Sequence, residues 1–332
     1  MNLQQRISSL VQLGAYMAGN DEEWMAVREK ASRANGWFTP EFIDLAAGNI
    51  VRQFLQETTL TRFAAQYAVG DSPTNPRTVG IVMAGNIPLV GFHDWLCTYL
   101  TGHKAMVKPS SKDDILFRHL IGVLGQIEPK STPYTLFTDV LKGADAYIAT
   151  GSNNSGRYFD YYFARFPHII RRNRSSAALL TGKESREELD RLADDIHLYF
   201  GMGCRNVTRL YVPEGYDFVP LLESFEKYRY FFDHPKFRSN YDYQLAIRIL
   251  NKEFYMTRDT MILVENPSLF APVSVVHYTH YSDPEAVKEE LRQNSDLQCL
   301  TGTPEFPFGI AQEPRISDFA DGVDTMKFLQ EM

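Results

Sequence analysis

The spacing of apolar residues changes along the chain, and the changes divide it. At the start, Leu3, Ile7, Leu10 and Val11 recur at helical spacing, broken by polar residues rather than forming a secretory apolar run. Thr39-Pro40-Glu41 offers an N-cap hydroxyl, a proline at the first helical position and a first-turn acid. Phe42, Leu45, Ala46 and Phe54 then give that helix an apolar face. Asp71-Ser72-Pro73-Thr74-Asn75-Pro76 is turn chemistry, and beyond it the pattern becomes strand, loop, helix. Val79 to Met83 predicts a strand, Ala84-Gly85-Asn86-Ile87-Pro88 a loop, and the run through Leu100 a helix. The cycle repeats with Ala105 to Lys108, Pro109-Ser110-Ser111 and a helix over Ile115 to Leu124. It repeats again with Ala146 to Thr150, Gly151-Ser152 and a helix through Phe163.

Farther on, the pattern predicts a strand over Ala177 to Thr181, a helix over Glu187 to Phe200, and a strand over Thr208 to Val212. Helical spacing over Val219 to Tyr228 is followed by strands at Met261 to Glu265 and Val273 to His280. Asp283-Pro284-Glu285 then starts a further helix. Strands alternating with helices mean parallel sheets covered on both faces, with ligands beyond the carboxyl ends of the strands. The fold class is therefore α/β, with two parallel-sheet lobes behind an N-terminal helical segment. The expected domains are 1–175, with the helices and a dinucleotide-binding lobe, and 176–310, with a catalytic lobe. A tail over 311–332 follows, and its return to the first domain is left open.

Composition narrows the reading. The 332 residues are 44% hydrophobic and 23% charged, ordinary values for a globular chain. A net charge of −7 argues against wrapping nucleic acid. The three cysteines, Cys97, Cys204 and Cys299, form no CxxC pair, which fits a reducing compartment without a disulfide framework or metal site. No apolar run approaches the ~20 residues of a membrane span. The expectation is a cytoplasmic protein.

The strongest chemical candidate is Gly201-Met202-Gly203-Cys204, between a helical segment and a strand. Glycines there can leave a thiolate exposed and close to backbone N–H groups, although a lone cysteine also reads as a small buried hydrophobe. The amide of Asn86, in a strand-to-helix loop, suits an oxyanion donor or merely a turn. Lys108 at a strand end can reach a ribose or phosphate, or point to solvent. Gly151 to Gly156 is a glycine-flanked helix start suited to a dinucleotide phosphate, without matching GxGxxG. Arg165, Arg171, Arg172 and Arg174 read as a solvated basic face or as a phosphate site. His277 and His280 read as structural, Cys97 and Cys299 as core, and the aromatic run Tyr158 to Phe166 as helix packing.

Taken in order, the G-N-x-P loop at Gly85, Val107-Lys108-Pro109-Ser110, the T-G-S-x-x-x-G turn at Gly151 and the G-x-G-C turn resemble the aldehyde dehydrogenase superfamily. Gly85 to Asp94 and Val107 to Asp113 look more like its acyl-CoA reductase branch, which includes the fatty acid reductase of bacterial luminescence. The resemblance covers roughly residues 77 to 275. It implies an aldehyde-dehydrogenase-like fold with Rossmann-like lobes, Cys204 as nucleophile and Asn86 as oxyanion-hole amide. It also implies Lys108 at the adenosine ribose, Gly151 and Ser152 beside the pyrophosphate, and Phe270 near the nicotinamide.

Departures from the family refine this. The ribose-binding glutamate falls on Ser268, and the general-base glutamate of the hydrolytic enzymes has no counterpart in Ile169 to Ser176. Without that base an acyl-enzyme is hydrolysed slowly. The implied activity is NAD(P)H-dependent reduction of an acyl-CoA or other acyl thioester to an aldehyde. An acyl-phosphate or semialdehyde dehydrogenase and a non-catalytic ligand-binding protein are the alternatives. Ser111 stands where NAD-specific relatives often carry a glutamate, and Lys112 follows it, so NADP(H) is expected over NAD(H). The chain is short for the family, and a homodimer is left open.

Overall fold

The computed structural model describes residues 1–73 and 75–332. Thr74, within the loop expected over 71–76, lies outside the described residues, as does the side chain of Asn153. The chain divides into two units, Met1–Asn173 with Pro314–Met332, and Arg174–Glu313.

Four helices open the first unit: α1 (Leu3–Ala18), α2 (Glu22–Ala34), α3 (Pro40–Gln53) and α4 (Glu57–Gln66). Asn2 and Gln5 cap α1 reciprocally, and Thr39 caps α3 ahead of Pro40. The fully buried Arg6 ties α1 to its surroundings, donating to the carbonyls of Met1, Gly70, Asp71 and Leu100. Strands and helices then alternate: β1 (Thr78–Val82), α5 (Phe92–Thr101), β2 (Lys104–Lys108), α6 (Ile115–Ile127), β3 (Thr135–Phe137), β4 (Ala146–Thr150), α7 (Asn153–Phe163) and β5 (His168–Arg171). The strands are parallel in the order β3-β2-β1-β4-β5. The order reverses between β1 and β4, which makes a topological switch point there. Val79, Ile81, Val107 and Ile148 pack with Trp95, Leu96 and Phe117 in the core. Cys97 is fully buried among them, as expected, and burial pushes its thiol pKa up.

The second unit contains β6 (Ser175–Leu179), α8 (Arg186–His197), β7 (Val207–Pro213), α9 (Val219–Ser224), α10 (Pro235–Asn251), β8 (Met256–Arg258), β9 (Met261–Glu265), β10 (Val275–Tyr281), α11 (Pro284–Arg292) and β11 (Leu297–Thr301). Its sheet runs β11-β6-β7-β10-β9-β8, parallel except for the antiparallel β8–β9 pair at one edge. The short closing helix α12 (Thr325–Gln330) belongs to the first unit, where the Leu329 carbonyl lies 3.0 Å from His103 Nε2. The expected α/β class with two parallel sheets and leading helices is the observed one.

Three expectations need correction. The helix placed through Phe200 stops at His197, because Tyr199 and Phe200 turn left-handed, with φ of 55° each. Arg171 is not on a solvated face. It is 2% exposed and paired with Asp94, since an uncompensated guanidinium there would not survive desolvation. Cys299 is half-buried rather than core, its Sγ 3.0 Å from Ser176 Oγ.

Candidate functional site

In the first unit the candidates gather at the carboxyl edge of the sheet, on both sides of the switch point. Asn86 follows β1, Lys108 ends β2, Ser111 and Lys112 follow it, and Gly151 and Ser152 follow β4. The Asn86 loop lies against the turn after β2. A Cβ on Gly85 would stand 2.5 Å from Ser110 Oγ and 3.2 Å from Lys112 Cβ, so glycine permits that approach. Farther along the loop, Leu89 is held left-handed at φ 57°. The Oδ2 of buried Asp113 accepts its N–H at 2.6 Å. Asp113 Oδ1 has no hydrogen-bond partner among the described residues. Burial pushes this carboxyl up to about 8. The Asp113 side chain and N–H thus prop the Asn86 loop against the Lys108 turn.

Asn86 is half-buried, and Lys108, Ser111 and Lys112 are exposed. Gly151 takes its place by donating its N–H to the Arg171 carbonyl at 3.1 Å. Ser152 caps α7 through Ser155 N–H, so its hydroxyl is already engaged. Behind this edge Arg171 makes a fork to Asp94, with Nη2 to Oδ1 at 2.7 Å and Nε to Oδ2 at 3.1 Å. It also donates to Thr325 Oγ1 and the Ala320 carbonyl. The first turn of α5, the end of β5 and the C-terminal segment are therefore joined by one buried cation. The edge carries exposed lysines, bare glycine backbone and a helix N-terminus, which together fit an anionic ligand such as a dinucleotide.

In the second unit Cys204 and Phe270 lie at the amino edge of the sheet, the opposite strand ends from those that hold the first unit's candidates. Cys204 precedes β7, and Phe270 lies in the loop leading to β10, which pairs with β7. Thr208 Oγ1 donates to the Leu269 carbonyl at 2.5 Å, fastening that loop near the foot of β7. Ser268 is occupied in its own turn, its Oγ bonded to the N–H and carbonyl of Phe270, and His277 Nδ1 lies 2.9 Å from its carbonyl.

The cysteine turn is built in an unusual way. Tyr199, Phe200 and Gly201 are left-handed in succession, with φ of 55°, 55° and 74°. For the two L-residues this costs on the order of 1–2 kcal/mol each. Packing holds Phe200 against Phe231, His234 and Phe237. Hydrogen bonds converge on Asn206, which is fully buried. Its Nδ2 donates to the carbonyls of Asp195, Ile196 and Leu198 at 3.1, 3.3 and 2.8 Å, and its Oδ1 accepts the Gly203 N–H at 2.8 Å. On the other side Ser176 Oγ donates to the Cys204 carbonyl at 3.1 Å. Half-buried Cys204 therefore sits in a turn fixed from both flanks.

Sequence reasoning missed Asn206, Asp113 and Ser176. For Asn206 the available signal was a short amide at the foot of an apolar strand, a residue type disfavoured there unless it bonds the backbone.

Among solved structures the chain is similar to aldehyde dehydrogenase 21 from Physcomitrella patens, determined in complex with the reaction product succinate. The TM-score is 0.72 at 12% identity, covering 100% of this chain and 84% of that one. It is similar to a Mycobacterium tuberculosis aldehyde dehydrogenase complexed with NAD+, with TM-score 0.63, 13% identity and coverage of 86% and 70%. The chain has the aldehyde dehydrogenase fold. Betaine aldehyde dehydrogenase from Staphylococcus aureus gives 0.64 at 12% identity, over 96% and 74% of the two chains. No protein-family model matches the sequence, and no curated protein matches it significantly. Among the described residues no group of three or more His, Cys, Asp or Glu is placed to hold a metal, and no helix is long and apolar enough to cross a membrane.

Proposed function

We propose that the protein is an acyl-thioester reductase, releasing an aldehyde through an S-acyl intermediate on Cys204. The observation that carries the reading is the cysteine turn, held by Asn206 and Ser176 in a chain of aldehyde dehydrogenase fold. The departure that selects reduction over acid formation is the absence of any carboxylate from Ile169 to Ser176.

In this reading the Cys204 thiolate attacks the thioester carbonyl. A new carbon–sulfur bond forms, the bond to CoA breaks, and CoA leaves as the thiol with the proton that Cys204 gave up. Asn86 is assigned, from the resemblance, the role of oxyanion donor. The chemistry supplied by a bound reduced nicotinamide is hydride donation to the acyl carbon. Cys204 then departs as the thiolate, free aldehyde is released, and a proton from solvent restores the thiol. Lys108, Ser111 and Lys112 would hold the adenosine ribose and a 2′-phosphate, Gly151 and Ser152 the pyrophosphate, and Phe270 would flank the nicotinamide. NADP(H) over NAD(H) follows from the serine and lysine after Lys108.

The test offers a panel of acyl-CoAs with NADPH and follows cofactor absorbance and aldehyde release. In the reverse direction, aldehyde with NADP+ and no CoA should give negligible acid over many turnovers. Fast acid release would contradict the reading and require a base elsewhere. NADPH oxidation only with acyl phosphates would move the assignment to an acyl-phosphate dehydrogenase.

A further inference from the structure

We infer that Asn206 is a positioning residue for Cys204, acting through the turn rather than on the substrate. The inference rests on the proposed role of the cysteine. The last carbonyls of a helix lack intrahelical partners, and a left-handed glycine just past the end is the usual remedy. Here α8 ends differently. Two bulky residues, Tyr199 and Phe200, take the left-handed conformation before Gly201 does, and the carbonyls of Asp195, Ile196 and the cap residue Leu198 share the two N–H groups of one side-chain amide arriving from beyond the cysteine.

The same amide's oxygen holds the Gly203 N–H, and the Asn206 N–H closes a turn onto the Gly203 carbonyl at 3.0 Å. The Asn206 carbonyl accepts the Ser176 N–H at 3.1 Å, so the residue also fixes the turn to β6. Apart from the bond to Ser176, these contacts all lie between the helix end and the first residue of β7, and Cys204 is enclosed by them. An asparagine is the economical choice. It carries two donors and an acceptor on one short arm, whereas aspartate lacks the donors and serine lacks the reach. Strained turns of this kind persist only where the surroundings over-determine them, and Asn206 supplies most of the hydrogen bonds that do so here, beside the packing of Phe200.

The experiment uses the full chain with Asn206→Ala and Asn206→Asp. The first readout is the rate of iodoacetamide alkylation at Cys204 relative to Cys299, measured by mass spectrometry in the same digest. Cys299 touches the same Ser176 hydroxyl but lies on β11, outside the turn. Both variants should shift the Cys204-to-Cys299 ratio by more than about fivefold, with the far-UV circular dichroism unchanged. The second readout is turnover of an acyl-CoA, where kcat should fall about 10²-fold with KM for the thioester unchanged, the penalty expected of a displaced nucleophile. A ratio within about twofold of wild type overturns the inference. So does loss of the folded signal in both variants, or a parallel rise at both cysteines, since either makes Asn206 a folding residue only. The alkylation ratio does not depend on turnover. If Cys204 is never acylated, the proposed function fails while the positioning inference is still decided.

Discussion

Removing the Arg171 guanidinium should be the most damaging single substitution outside the apolar core. Arg171 is 2% and Asp94 8% exposed, and they meet through two nitrogen–oxygen contacts at 2.7 and 3.1 Å. Burial on its own would raise the Asp94 pKa, but the Arg171 charge and hydrogen bonds outweigh it and hold the carboxyl below its ordinary value. Arg171→Ala leaves that carboxylate buried with only the Thr325 hydroxyl, 3.3 Å away, of its two bonding partners. Breaking one side of a buried pair costs about 3–5 kcal/mol. At about 2–4 °C per kcal/mol for a unit of this size, Tm should fall by about 6–20 °C. The double variant Arg171→Met with Asp94→Asn carries no buried charge and should recover part of the loss. A depressed carboxylate contributes stability above its unfolded pKa of about 3.9 and loses it as pH falls through the folded value. The gap between wild type and Arg171→Ala should therefore narrow in acid. Thermal unfolding followed by circular dichroism at pH 7 and at pH 2.5 measures both effects. A Tm change under about 2 °C at pH 7, or a double variant worse than the single, would refute the reasoning.

Other expectations follow from the same edge. Because burial raises Asp113 to about 8, the folded state keeps a proton that the unfolded state has lost from about pH 4 upward, and stability drains away as pH climbs to about 8. Asp113→Asn removes that dependence, so its Tm should gain on wild type between pH 5 and pH 8; parallel Tm curves would contradict the assignment. Asn86→Ala should lower turnover by about 10²–10³-fold, and an unchanged rate would return Asn86 to a structural role. Ser111→Glu should turn the cofactor preference from NADPH toward NADH in a titration of both. Equal binding of the two cofactors by wild type, or no change in the variant, would refute the preference.

Much of the architecture was legible because local pattern and long-range packing agree. Ala146–Thr150 and Met261–Glu265 are strands over the ranges their apolar runs predict, since both are buried and have a neighbouring strand on each side. Thr39-Pro40 marks the start of α3 by chemistry that needs no tertiary help. The illegible parts depend on distant partners. Nothing near Arg171 says it is buried, because its compensating carboxylate is 77 residues earlier and its third partner, Thr325, is 154 residues later. The tail is hard to read in the sequence because α12 is short, with Thr325, Met326 and Leu329 buried along it. The α10 helix escaped notice because only Phe237 and Tyr241 are buried along its length, too few to set a period. At the site, the cysteine and its glycines could be read directly. The left-handed pair at Tyr199 and Phe200 could not, because bulky L-residues rarely take that conformation and the partners that hold it, Asn206, Phe231 and Phe237, lie farther along the chain.

The central claim is that Cys204 takes the acyl group. Incubating the protein with an acyl-CoA in the absence of NADPH, then mapping peptides by mass spectrometry, tests it most directly. The account predicts one acyl mass on the Cys204 peptide, abolished by Cys204→Ala and discharged by adding NADPH. Acylation that persists in Cys204→Ala, or that maps to Cys97 or Cys299, would contradict it.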